Sequence, residues 1–236
     1  MTALDEWPRP LVQGHRGAGE SRAGAALVEN TVASFTAALA AGADAVEMDV
    51  RVSPDGAMVV LHDESPLRTF GSDGFADVPL LDEVLDGVRG LVTWDGSPAR
   101  VNVELKAKGV PAARLVVGAL AAAGLVDGRA MVSSFDLATL VAVKELAPDL
   151  PCGALVPGTL GRQVIEAAAE RELEAVHPHG DDALLARHIA DAHDHALLVY
   201  AWTVNDPIDQ ERLLDDDVDG LITDAPAALH ALLART

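Results

Sequence analysis

Eight short apolar runs recur along the chain, each followed by room for one helix, and this alternation limits the fold more than any other feature. The runs are Leu11–His15, Ala45–Val52, Arg100–Lys106, Ala130–Phe135, Cys152–Val156, Glu174–His177, Leu197–Val204 and Gly220–Thr223. They are continuous or alternating in apolar character, the pattern of buried strands. Between them lie Ala- and Leu-rich stretches with helical spacing: Thr31–Ala41, Ala112–Ala123, Leu137–Leu146, Arg162–Arg171 and Ala183–His193. Gly42, Gly124 and Pro148 stand where helices stop, while Asp206-Pro207 and Asp224-Ala225-Pro226 read as helix starts. Strands joined by crossover helices predict a parallel sheet, and eight such units predict a (β/α)8 TIM barrel. A doubly wound sheet is the alternative. Its dinucleotide-binding turn wants glycine where His15 and Arg16 stand in Gly14-His15-Arg16-Gly17-Ala18-Gly19.

The 236 residues suit one barrel domain spanning 1–236. The irregular part is 63–99. After a short strand at Met58–Leu61 it holds a Gly/Asp/Pro-rich stretch and an acidic helix candidate, Leu80–Val88, and reads as a short insertion after the second strand. Seventeen Lys and Arg stand against 37 Asp and Glu, a formal net charge of -20. Such a surface repels polyanions, which argues against nucleic acid and against stable association with an anionic membrane. An anionic ligand would need a local group of cations, or a metal, to invert the field. Cys152 is the only cysteine, the opening MTALDEWPRP is acidic, and no apolar run reaches membrane-spanning length, so a soluble cytoplasmic protein is expected.

The chemistry lies at strand ends. Side chains two apart share a strand face, so Glu47 and Asp49 point one way while Val46, Met48 and Val50 point the other. Asn102, Glu104 and Lys106 repeat the arrangement against Val101, Val103 and Leu105. Barrel interiors are normally filled by branched apolar residues. Three carboxylates converging there would raise one another's pKa values unless a cation lies between them. Oxygen donors suit Mg²⁺ or Ca²⁺, with a salt-bridge network to Lys106 and Arg51 as the simpler alternative. His15 and His62 end strands beside these acids, and a histidine pair can remove one proton and deliver another. Arg16 and Lys106 are the local cations that a phosphate would require.

In order along the chain, Gly14-His15-Arg16-Gly17, Glu29-Asn30-Thr31, Glu47-Met48-Asp49-Val50, Leu61-His62-Asp63, Val103-Glu104-Leu105-Lys106 and Trp202-Thr203-Val204-Asn205 resemble the motifs of the glycerophosphodiester phosphodiesterase family. The resemblance covers nearly the whole chain. It implies a (β/α)8 barrel that hydrolyses glycerophosphodiesters to glycerol 3-phosphate and an alcohol with one divalent cation, Mg²⁺ or Ca²⁺. Carried over position by position, it implies Glu47, Asp49 and Glu104 as metal ligands, and His15 and His62 as acid and base. It further implies Arg16 and Lys106 on the phosphate, and Trp202 on the glycerol or alcohol side. Phospholipases of related barrels, acting on phosphoinositides or sphingomyelin, and a non-catalytic phosphodiester-binding barrel are the other readings.

Two stretches depart from the family pattern. The loop from Gly17 to Glu29 is long and has Val28 where a proline is common. Leu67-Arg68-Thr69-Phe70 replaces a Leu-Asp-Arg-Thr stretch and lacks its aspartate, in an insertion that reads as truncated. Other residues carry plainer expectations. His177 and His179 are expected on the pocket rim; His188, His193 and His195 on a solvated surface; and Asp215 to Asp217 at a solvated helix end. Asn30 reads as a helix cap with a supporting role, and Asp224 as a helix cap or a minor site residue.

Overall fold

The alternating texture closes into a ring. The computed structural model of the protein describes residues 3–182 and 185–235. Its strands are β1 (Leu11–Gly14), β2 (Ala45–Val52), β3 (Met58–Val60), β4 (Arg100–Leu105), β5 (Ala130–Ser134), β6 (Cys152–Leu155), β7 (Ala175–His177), β8 (Leu198–Ala201) and β9 (Gly220–Thr223). All but β3 are parallel neighbours in one sheet, and β1 pairs with both β2 and β9. That pairing closes the (β/α)8 barrel and excludes the open doubly wound sheet. β3 lies antiparallel against the far end of β2.

The helices are α1 (Val32–Ala40), α2 (Leu67–Phe70), α3 (Leu81–Arg89), α4 (Gly109–Ala122), α5 (Leu137–Leu146), α6 (Arg162–Ala169), α7 (Leu185–Asp194), α8 (Pro207–Asp215) and α9 (Pro226–Leu233). One expectation needs correction. The helix assigned to the insertion, α3, is the barrel's own second helix: it packs against α1 and α4 and buries Leu81, Val84, Leu85 and Val88 at helical spacing. The inserted segment is therefore only β3, α2 and the turns around them. Helix α6 stops short of Arg171, where Glu172 takes a left-handed φ of 55°. Of the expected helix Ala183–His193, Ala183 and Leu184 lie outside the described residues.

Strand alternation sorts the two faces. Val46, Met48, Val50, Val101 and Val103 are fully buried in the layer shared with the helices. Inside the ring, the amino-terminal end is apolar. Leu11, Ala45, Met131, Ala175 and Tyr200 meet there, and Leu4 and Trp7 from the first residues close over them. Trp7 Nε1 donates to the Gly128 carbonyl at 2.8 Å, fixing this cover.

Above this floor the interior turns polar, with Gln13, Asn102, Ser133 and His177 all buried. His177 corrects the rim expectation. Because β7 ends on it with an inward register, its ring lies inside the barrel, edge-on to Tyr200 at 5.4 Å. It occupies space that Gly153 leaves open, since a Cβ on Gly153 would fall 2.3 Å from His177 Nε2.

Burial pushes the His177 pKa down from 6.5 to about 3. The native ring stays neutral while the unfolded chain takes up a proton below pH 6.5. Stability from this group is thus complete above pH 6.5 and is lost as pH falls towards 3, by up to about 1.4 kcal/mol per pH unit. Urea unfolding at pH 7 and pH 5 should show His177→Gln losing about 2 kcal/mol less than the parent protein over that interval. Equal losses would show that the buried ring takes up its proton as readily as it does in the unfolded chain.

Candidate active site

The carboxyl ends of the strands carry the site, and the β1–α1 turn builds its first edge. Arg16 sits at φ 50°, a costly conformation for a side chain of this kind, and Gly17 follows at φ 88°. The turn is held because the Arg16 N–H donates to Glu47 Oε2 at 2.9 Å, and the Arg16 carbonyl accepts from Asn30 N at 3.0 Å and Ser34 Oγ at 3.1 Å. The strain aims the guanidinium inward. Arg16 Nη1 lies 3.1 Å from Glu29 Oε1, and Nε lies 3.4 Å from Asp49 Oδ2.

Adjacent strands supply the acids in register: Glu47 stands opposite Asn102, and Asp49 opposite Glu104. One oxygen from each of Glu47, Asp49 and Glu104 lies within 4.8 Å of the others. Burial, reinforced by the neighbouring Asp49, pushes Glu47 up to about 8, and the same two causes raise Glu104. Asp49 goes the other way, because Lys106 and Arg16 outweigh its burial and hold it well below the usual carboxylate range. Lys106 Nζ lies 2.9 Å from Asp49 Oδ1 and also pairs with Glu104. Glu47 Oε1 is buried with no protein hydrogen-bond partner. Crowded hard oxygen donors with one such atom fit a divalent cation, and these residues could hold one.

Both histidines are oriented in the same manner. His15 Nδ1 is 2.7 Å from Asp224 Oδ1, and His62 Nδ1 is 2.7 Å from Asp63 Oδ1. With Nδ1 taken by a carboxylate, Nε2 is the atom left for proton transfer. Burial lowers the His15 pKa, but the Asp224 hydrogen bond and the charge of Glu47 outweigh it and the net shift is upward; for His62 burial wins and the shift is downward. Trp202 follows β8 with its Nε1 donating to the His177 carbonyl at 2.7 Å, and its ring is met edge-on by His179 at 5.0 Å and Phe135 at 5.7 Å.

All the residues singled out from the sequence meet at this one end: His15, Arg16, Glu47, Asp49, His62, Glu104, Lys106 and Trp202. A cavity of about 20 Å³ among His15, Glu47, Glu104 and Trp202 reaches down to Asn102 and Ser133. A larger groove of about 630 Å³ lies among Arg9, His193 and Asp219, but there Asp219 is already paired with both Arg9 and His193.

The sequence placed several supporting residues only in part. Asp224 does not cap α9; its carboxylate turns to His15 and also accepts from Asn205 Nδ2 at 2.6 Å. Asn30 does not cap α1 either, since Thr31 does so by accepting from Ser34 N. Asn30, at a φ of 59°, instead donates to Asp49 Oδ2 at 2.8 Å and accepts from Asp49 N at 3.1 Å. Asp63 and Glu29 lay inside recognised motifs, so their position was the available signal. Arg68 gave none. His193 and His195 are half-buried and bonded, to Asp219 and to the Asp191 carbonyl, rather than freely solvated. His188 is half-buried, 3.5 Å from Asp191.

Fold and site together define a class: barrel enzymes with an acidic, metal-competent centre at the carboxyl ends of the strands. The sequence pattern of the glycerophosphoryl diester phosphodiesterase family matches residues 15–107 and 78–228. A glycerophosphodiester phosphodiesterase of Caldanaerobacter subterraneus is 29% identical over 248 residues, covering 96% of this chain and 99% of the relative. One from Bacillus subtilis is 28% identical over 263 residues, covering 94% and 86%. Among solved structures, an Oleispira antarctica phosphodiesterase in complex with the product sn-glycerol-3-phosphate superposes with a TM-score of 0.84 at 23% identity, covering 99% of this chain and 100% of that one. The chain belongs to the glycerophosphoryl diester phosphodiesterase family.

Proposed function

We propose that the protein hydrolyses water-soluble glycerophosphodiesters to glycerol 3-phosphate and an alcohol, using His15 and His62 as proton-transfer groups and a divalent cation, Mg²⁺ or Ca²⁺, on Glu47, Asp49 and Glu104. The observation that supports this best is the pair of histidines with carboxylate-tied Nδ1 atoms beside the buried acidic cluster. Binding a phosphodiester would need neither oriented ring.

One histidine takes the proton of the free glycerol hydroxyl next to the phosphorus as that oxygen attacks. The other gives its proton to the departing alcohol oxygen, leaving a cyclic phosphate. Water then opens the ring with the two roles reversed, so no proton is gained or lost by the histidines over the cycle. Arg16 and Lys106 hold the phosphate against an acidic surface, and Trp202 walls the organic part of the substrate. The cation, when bound, supplies charge stabilisation to the phosphate oxygens. The whole chain serves as one catalytic domain working in the cytoplasm; among the described residues no helix is long and apolar enough to cross a membrane.

The test is release of glycerol 3-phosphate from glycerophosphocholine, glycerophosphoethanolamine and glycerophosphoglycerol, measured beside a lysophospholipid. With so small an insertion over the site, the three diesters should differ in kcat/KM by less than about tenfold, equivalent to about 1.4 kcal/mol. No release from any of them sinks the reading. Faster turnover of the lysophospholipid transfers it to the phospholipase alternative.

A further inference from the structure

The one inserted helical turn, α2, sends a single side chain into the support of the site. Arg68 Nε lies 2.5 Å from Asp63 Oδ2, and Nη2 lies 2.6 Å from Glu29 Oε1. Nη1 donates to Glu29 Oε2 at 2.9 Å and to the Ser21 carbonyl at 2.6 Å. The backbone joins in, because Ala23 N donates to the Arg68 carbonyl at 2.8 Å. One guanidinium thus grips both carboxylates bidentately, the geometry for which arginine has no substitute. Each carboxylate has its other contact in the site: Asp63 with His62, and Glu29 with Arg16.

We infer that Arg68 is a positioning residue that sets His62 through Asp63 and frees the charge of Arg16 for substrate through Glu29, an inference that rests on the proposed phosphodiesterase reading. The charge count gives the second half. Glu29 is buried, and Arg16 already faces Asp49. If Arg68 did not neutralise Glu29, Arg16 would lie between two carboxylates and have little attraction left for a phosphate. The first half is geometric: without Arg68, Asp63 is a half-buried loop carboxylate free to swing away from His62. Arg68 pulls Asp63 down to about 2, against the effect of its burial, so the carboxylate stays charged beside the ring at any working pH.

The experiment uses Arg68→Met and Arg68→Lys, with folding checked by circular dichroism. For Arg68→Met, kcat should fall about tenfold. Adding Asp63→Asn should lower it no more than about twofold beyond Asp63→Asn alone, because both act through His62. Calorimetric binding of orthophosphate, which needs no turnover, should weaken about tenfold through Arg16. Arg68→Lys should recover part of that affinity, by returning the charge, and little of kcat, since an ammonium cannot bridge two carboxylates. Multiplicative losses in the Asp63 pair, or a folded Arg68→Met protein with parental kcat and orthophosphate affinity, would overturn the inference. If the parent protein releases no glycerol 3-phosphate, the phosphodiesterase reading fails alone, and the orthophosphate arm still decides whether Arg68 governs Arg16.

Discussion

Replacing either His15 or His62 with alanine should lower kcat by roughly 10² to 10⁴-fold while leaving the circular dichroism spectrum native. Both rings sit at strand ends, outside the buried apolar layers, so their loss opens no core cavity. The two variants should also differ in kind. His15 has its carboxylate, Asp224, fixed by Asn205 and by the Glu20 N–H, whereas Asp63 owes its position to Arg68. Asp224→Asn would keep the ring in place and lose only its charge partner, so its effect should be smaller than that of His15→Ala. A folded alanine variant with near-parental turnover would make its histidine structural and end the two-histidine mechanism.

Stripping divalent cations should abolish turnover, and re-adding Mg²⁺ or Ca²⁺ should restore it. The buried acids are arranged for this. Asp49 is balanced by Lys106 and Arg16, but Glu47 is left with one oxygen held by the Arg16 N–H and the other without a partner. A cation that binds the native state alone stabilises it by about 2.7 kcal/mol at a hundred times its dissociation constant. Thermal unfolding with and without metal therefore gives a second readout, independent of catalysis. Glu104→Ala should weaken metal binding and the thermal shift together. Full activity in metal-free protein, or unchanged metal affinity in Glu104→Ala, would remove the ion from the site.

The barrel and the inward-facing acids of its candidate site were legible in the sequence because period-two alternation decides which side chains point inward. Glu47 and Asp49 on one face, with Val46, Met48 and Val50 on the other, needed only strand geometry. What escaped were contacts set by loops. For Asn30 and Asp224 the sequence offered helix capping, a local hydrogen bond, beside a supporting or minor site role, and tertiary partners claimed both side chains: Asp49 for the first and His15 for the second. The same held for Arg68, whose partners Glu29 and Asp63 come from different loops, in a stretch that reads as a departure rather than a contribution. Misplacing His177 had another cause. A histidine at a strand end normally faces water, and only the missing side chain at Gly153, on the neighbouring strand, makes room for it inside.

Leu4 and Trp7 stopper the amino-terminal end of the ring, so the barrel is a well with a single mouth. Whatever reaches Glu47 enters at the carboxyl ends of the strands, beside His15 and Trp202, and leaves by the same end. On the proposed reading, Glu47, Asp49 and Glu104 would hold the cation, Arg16 and Lys106 would hold the phosphate, and all traffic would share that one opening. On the same reading, glycerol 3-phosphate would have to clear before the next diester could enter. Product held there would act as a plug, so on that reading glycerol 3-phosphate should compete with substrate.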